Sequence, residues 1–387
     1  MRIAFDARPL IGPRTGVGVW LEGVLRGLAA GTDWHFVLCL PRRVAELGVG
    51  DLGGRVSVLA PPAPLPGTLW LHTLAGPALA GRADVFVGSL GVRPRRLPIP
   101  DVLMVHDVTP RTRPQAHTFA NRLCFNAYLE ESLASAGTVV CLSEATRAAV
   151  ARIQPGAARR AHVIGAGVDP FFSPAAEGED GAEARLRFAG GRPYLVQLGT
   201  LEPRKGIATL LAAHALVLAR DPDAPDLVLA GGRGWGGRWL ASALARHPAP
   251  GRVHCPGYVS RDDARALLRH AELVVLVSEE EGFGLPLAEA LACGAACVAS
   301  DAPALVEVSV GAARHVARGD AAALAVALAA ALEPEAQRSL RASARRRGAE
   351  MAWAGPLAAW RTLLEDAARG QSAAAQLRMP GDAPDRH

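Results

Sequence analysis

Lysine is nearly missing from this sequence. Of its 42 basic residues one is lysine, Lys205, and the rest are arginine. Arg and Lys differ in shape and hydration, so a position that keeps the compact ammonium draws notice. Aromatic residues are also scarce, at 5%. None are interleaved with the arginines of the first half, which argues against a nucleic-acid surface. No apolar run is long enough to span a bilayer. The N-terminus "MRIAFDARPL" enters a strand-like pattern at once, without the zones of a secretory signal, so a cytoplasmic protein is expected. The cysteines Cys39, Cys124, Cys141, Cys255, Cys293 and Cys297 are scattered, mostly in apolar runs. Cys293 and Cys297, four apart, make neither a CxxC pair nor half of a zinc site, and buried reduced thiols are expected. No His pair has metal spacing. Asp221 and Asp223 form a literal DxD, but the motif precedes a strand and reads as a solvated turn, so no metal site is expected.

What is present is apolar and periodic. Half of the 387 residues are apolar, and that length exceeds one ordinary core, so two domains are expected. Residues 1–168 carry 18 Arg against 11 acids, a net +7, while the whole chain is +5 and the remainder −2. A basic front half suits an anionic partner such as a phosphate-bearing lipid or a membrane surface, and also fits ordinary surface arginine.

Short apolar runs alternate with amphipathic stretches in two blocks. "RIAFDA", "WHFVLCL", "ADVFVG", "DVLMVHD", "TVVCLS" and "AHVIG" read as buried strands of the first. "YLVQLG", "DLVLAGG", "GRVHCPG", "ELVVLVS", "ACVAS" and "ARHVARG" are those of the second. Helical patterns lie between them, which predicts two doubly wound α/β domains with parallel sheets. The first spans 1–168 and the second 193–350. Residues 169–192, mixing Pro, Gly and acids without a sustained period, read as a linker. A helix is expected over 351–369, and 370–387 reads as a disordered tail.

Four stretches carry chemistry. In "SEEEGFGLPLAEALACG" a strand runs into a glycine turn and a helix, with Pro286 suited to the first helical turn and Gly294 to its end. Gly282 and Gly284 allow close backbone approach, and the helix start favours an anion. Glu281 falls on the loop and Glu289 about one turn into the helix, although acids near a helix start are also stabilising in themselves. "GTLEPRKG" places Arg204 and Lys205 at a strand end, as a clamp for a diphosphate or as an exposed cationic turn. "FDARPLIGPRTGVGVW" has Gly16 and Gly18 before a helix, but Leu21 stands where a dinucleotide fingerprint needs a third Gly. "VLMVHD" ends a strand in His106, which fits a hydrogen bond to a substrate hydroxyl and a structural role equally well.

"EGFGLPLAEALACG" resembles the E-x7-E motif of the family 4 retaining glycosyltransferases, which have the GT-B fold. "GTLEPRKG" is similar to that family's phosphate segment, "TGVGVW" to its glycine loop and "VHDVTPRTRP" to its strand-end histidine. "GYVSRDD", with Tyr258 and Val259, is similar to the segment near the nucleotide base. The resemblance implies two Rossmann-like domains facing across a cleft, with the first on the acceptor side and the last helix crossing back to it. It implies that Glu281 contacts the transferred sugar and Glu289 the ribose hydroxyls. Arg204 and Lys205 would neutralise the diphosphate, assisted by backbone N–H groups at Gly16 and from Gly282 through Phe283 and Gly284 to Leu285. His106 would touch the donor sugar from the first domain.

The implied reaction is retaining transfer of a hexose from a nucleoside-diphosphate sugar to a glycan or lipid-linked saccharide in cell-surface polysaccharide synthesis. The motifs most resemble mannosyltransferase-like members, so GDP-mannose is the first donor expected and UDP-glucose types come next, without a cofactor or metal. A sugar-nucleotide-binding protein that catalyses nothing is the alternative, and a dinucleotide oxidoreductase a more distant one. Contact with an anionic membrane surface is expected from the basic first half.

Overall fold

The computed structural model describes residues 1–12, 14–44, 47–49, 52–112, 119–232, 234 and 237–370; the expected C-terminal tail lies outside them except for Gly370. The chain divides into two compact units. One takes Met1–Val108, Ala120–Gly167 and the chain from Trp353 on; the other takes Thr109–Phe119 and Val168–Ala352.

Among the described residues the first unit is built on β1 (Arg2–Asp6), β2 (His35–Cys39), β3 (Val56–Leu59), β4 (Val85–Gly88), β5 (Asp101–Val105), β6 (Thr138–Cys141) and β7 (Ala161–Val163). They form one sheet in the order β3-β2-β1-β4-β5-β6-β7, with every pairing parallel. The runs that read as strands do so because helices cover both faces: β4, β5 and β6 are buried at every residue. β3 was not expected. It is an edge strand with Ser57 and Val58 exposed, so it lacks the continuous apolar run of its neighbours.

The second unit is built on β8 (Tyr194–Leu198), β9 (Asp226–Ala230), β10 (Val253–Gly257), β11 (Leu273–Leu276), β12 (Cys297–Ser300) and β13 (Arg314–Val316), in the order β10-β9-β8-β11-β12-β13 and again parallel. The helix Ile207–Arg220 shows why it packs there. Ile207, Leu210, Leu211, His214, Val217 and Leu218 recur every three or four residues and are buried. A fully buried leucine such as Leu210 contributes about 2 kcal/mol. Cys39, Cys141, Cys293 and Cys297 are buried free thiols; Cys255 is exposed, because β10 is an edge strand.

The stretch read as a linker is part of this second core. It contains a helix, Ala182–Ala189, bounded by Gly181 and Gly190 in the left-handed region. Phe172, Ala184, Phe188 and Ala189 join the core with Tyr194 and Leu267. Two turns are too short to establish a period amid acids and glycines, so the sequence pattern hid it.

Strand order decides where ligands bind. In each sheet the order reverses once, between β1 and β4 in the first and between β8 and β11 in the second. The loops leaving the carboxyl ends of such a pair diverge to opposite faces and leave a crevice. The loop after β8 carries Arg204 and Lys205, and the loop after β11 carries Glu281.

Candidate functional site

Two loops of the second unit are stitched together at this reversal. After β8 the chain passes through Gly199 and a 3-10 turn, Pro203–Lys205, to Gly206 in the left-handed region at φ +68°. A Cβ on Gly206 would stand 2.0 Å from the carbonyl oxygen of Val277, so only glycine lets this loop lie against the end of β11. The Glu279 N–H donates to the Arg204 carbonyl at 2.8 Å. From below, buried Gln197 on β8 donates to the Lys205 carbonyl at 3.2 Å.

These contacts converge on Glu281. Its Oε1 accepts from Lys205 Nζ at 2.5 Å and from Ser278 Oγ at 2.7 Å. Its Oε2 lies 3.5 Å from Arg204 Nη1, and Arg204 Nε also reaches Glu202 at 2.8 Å. Burial acts to raise the Glu281 pKa, but Lys205 and Arg204 outweigh it and hold the carboxyl below its ordinary range. Glu281 is therefore an anion at neutral pH, able to accept a hydroxyl's hydrogen bond and unable to supply a proton. Within the cluster Glu202 and Glu281 balance the two cations.

The helix Leu285–Ala292 begins beside this cluster. Gly284 is its N-cap, at φ +95°, and no side chain caps it. A Cβ on Gly284 would meet Leu305 at 2.4 Å. Pro286 occupies the first turn, and Gly294 follows the end in the left-handed region. The uncapped start presents the positive end of the helix dipole.

Glu289, on the second turn of this helix, has a different environment. Burial pushes its pKa up to about 8, with Arg261 opposing and Asp169 reinforcing. Among the described residues no hydrogen bond reaches its carboxyl group. Glu289 is half-buried, and a carboxyl drawn out of water without a protein partner is costly. Arg261 opens the helix Arg261–His270, two residues after Val259, and pairs with Asp169 at 2.7 Å. The "GYVSRDD" segment and Glu289 thus belong to one neighbourhood. Val259 and Phe283 pack on the core, whereas Tyr258 stands 66% exposed.

In the first unit the expected residues follow β1 and β5. Gly16 is the first residue of the helix Gly16–Gly31 and is exposed. Gly18 is buried, and a Cβ there would stand 2.7 Å from the Pro9 carbonyl oxygen, so packing on Pro9 accounts for it. His106, just past β5, donates from Nε2 to the Ser89 carbonyl at 3.0 Å. Burial lowers its pKa to about 4, so the ring is neutral and Nδ1 carries the lone pair.

Ser278, Gln197, Glu202, Asp169 and Arg261 were not singled out from the sequence. Ser278 precedes the three acids directly and could have been read as a donor at a strand end. Asp169 comes from the misread linker and gave no signal.

The family described as glycosyl transferases group 1 matches residues 180–351. O-antigen chain mannosyltransferase B of Escherichia coli is 31% identical over 207 residues, 54% of this chain and 54% of that protein. A serotype-specific mannosyltransferase WbdA of Escherichia coli is 28% identical over 216 residues, 53% of this chain and 26% of that one. The chain therefore spans about half, or less, of the length of these curated relatives. Among solved structures, Anabaena HepE in complex with UDP-glucose matches with a TM-score of 0.76 and 19% identity over 95% of this chain and 100% of that one. WaaG, a glycosyltransferase involved in lipopolysaccharide biosynthesis, matches at 0.68 and 17% over 90% and 95%. Residues 180–351 thus match the group 1 glycosyl transferases, and the two parallel-sheet units have the GT-B fold.

Proposed function

We propose that the protein transfers a hexose from a nucleoside-diphosphate sugar to a glycan or lipid-linked saccharide in cell-surface polysaccharide synthesis, with retention at the anomeric carbon. The Arg204–Lys205–Glu281 cluster beside an uncapped helix start carries this reading. The mannosyltransferase relatives make mannose from GDP-mannose the first assignment, and the UDP-glucose complex of HepE supports a nucleotide-sugar donor in general.

The chemistry follows from the charges. The bond between the anomeric carbon and the diphosphate breaks, negative charge grows on the leaving phosphate, and the sugar gains oxocarbenium character. Arg204, Lys205 and the helix start stabilise that phosphate, and one such fixed donor is commonly worth roughly 3 kcal/mol in the transition state. The acceptor oxygen bonds to the anomeric carbon and its proton passes to the departing phosphate. Glu281, kept ionised, orients the sugar through its hydroxyls. Glu289 holds the ribose hydroxyls, and Tyr258 and Val259 lie by the base. In the first unit His106 offers Nδ1 as an acceptor for a substrate hydroxyl. The scheme calls on Arg204, Lys205 and the helix start, and invokes no metal.

The acceptor reading includes contact with an anionic bilayer. Residues 56–81 contain no Lys, Arg, Asp or Glu, and Leu65, Leu69 and Leu74 stand exposed among them. The Leu65 N–H bonds to the Pro41 carbonyl, which brings exposed Arg42 and Arg43 alongside. Among the described residues no helix is long and apolar enough to cross a membrane.

The test is transfer of labelled sugar from GDP-mannose and from UDP-glucose to lipid-linked saccharides. Turnover that survives in Lys205→Ala and Glu281→Ala would overturn the assignment. Donor binding without transfer or hydrolysis would leave a binding protein.

A further inference from the structure

One tryptophan, Trp20, backs His106, and a second from the far end of the chain, Trp360, backs the first. The Trp20 ring meets the His106 ring edge-on, with centroids 4.8 Å apart at 82°. The Trp360 ring lies on Trp20 at 5.7 Å and 59°. Both tryptophans are fully buried. The three rings form a column through the interior of the first unit, ending at a residue that follows β5.

The approach of two helices builds this column. Trp20, Gly23 and Gly27 lie on one face of the helix Gly16–Gly31, at i, i+3 and i+7. A Cβ on Gly23 would stand 2.3 Å from the Trp353 ring, and one on Gly27 would stand 2.2 Å from Leu357. The missing side chains let the helix Ala354–Ala368 press against the first helix, and Trp360, two turns after Trp353, then reaches Trp20. Gly167 lies as close, with a Cβ position 2.5 Å from the Trp353 ring.

The column limits what His106 can do. Its Nε2 proton is committed to the Ser89 carbonyl, and Thr146 Oγ1 donates to the His106 carbonyl oxygen at 3.3 Å. Trp20 fills the space into which the ring would otherwise turn. Only Nδ1 is left for a substrate, and it is an acceptor.

We propose that Trp20 and Trp360 are positioning residues that hold His106 as the Nε2–H tautomer, so that Nδ1 meets a substrate hydroxyl, and that the C-terminal helix is thereby a working part of the first unit's site. The reading of His106 as a substrate contact comes from the proposed function; the tautomer rests on the Ser89 contact and the column on the ring geometry. A role confined to packing would change stability without changing the tautomer.

The experiment is ¹⁵N-histidine spectroscopy of the full chain, with the His106 resonances identified by their loss in His106→Gln. Wild type is expected to show a neutral Nε2–H ring at pH 7. Trp360→Ala should give a mixed tautomer and a turnover reduced tenfold or more at little-changed donor KM, and Trp360→Phe should restore both. Should Trp20→Leu fail to fold, the two Trp360 variants carry the test. An unchanged tautomer in folded Trp360→Ala, or an Nδ1–H ring in wild type, overturns the proposal. A shifted tautomer with full transfer supports the column and instead removes His106 from the proposed reaction.

Discussion

Replacing Glu289 with glutamine should stabilise the unliganded protein, and the gain should grow with pH. The carboxyl's ordinary value is 4.5, and burial raises it to about 8 in the folded chain. A raised acid pKa contributes stability that is fully present below pH 4.5 and is lost as pH rises through 8, because the unfolded chain ionises first. Each pH unit in that window costs about 1.4 kcal/mol. The loss is about 1 kcal/mol at pH 5 and roughly 3 kcal/mol at pH 7. Glutamine keeps the shape and does not titrate, so it escapes the loss. For a unit of this size the gain at pH 7 corresponds to roughly 5–10 °C in Tm. Thermal unfolding of both proteins at pH 5 and pH 7.5 measures it. A Tm difference of equal size at the two values would refute the reasoning, as would a variant less stable at both. On the proposed role of Glu289 at the ribose hydroxyls, the gain should come with weaker nucleotide binding.

Other perturbations test the site loops and the core of the second unit. Gly206→Ala places a Cβ 2.0 Å from a carbonyl at a positive φ, so a loss of about 2–3 kcal/mol is expected in denaturant unfolding, and an unchanged midpoint would contradict the loop contact. Glu281→Ala leaves Lys205 and Arg204 without their shared acid, and transfer should fall at least a hundredfold while circular dichroism stays that of the parent. His214, stacked on His247, has a pKa lowered to about 4, first by burial, against an ordinary 6.5. Its contribution is present above pH 6.5 and lost as pH falls toward 4, by roughly 3 kcal/mol, because the unfolded chain takes up the proton first. His214→Gln should flatten that acid limb, and a limb of unchanged steepness would count against it.

The sequence made the sheets legible where burial is two-sided. β8, β9, β11 and β12 could be read from their buried apolar runs, while the edge strands β10 and β13 were read from short runs that end in glycine. β3 escaped because an edge strand need not be apolar throughout, and Ala182–Ala189 because eight residues hold barely two turns. Lys205 and Glu281 could be picked out as unusual residues after strands, yet nothing in their spacing reveals that they pair with one another. That pairing depends on β8 lying beside β11, which is a property of strand order. The ring column is similarly hidden, since Trp20 and Trp360 acquire their meaning only when two helices touch at Gly23 and Gly27.

The proposed grip on a diphosphate is tested most directly by calorimetric titration of GDP, UDP, GDP-mannose and UDP-glucose into the wild-type chain and Lys205→Ala. The account predicts that at least one nucleotide sugar binds the wild type, that its nucleoside diphosphate competes, and that Lys205→Ala weakens both tenfold or more. Equal affinity in the two proteins would contradict it, as would heats from none of the four ligands.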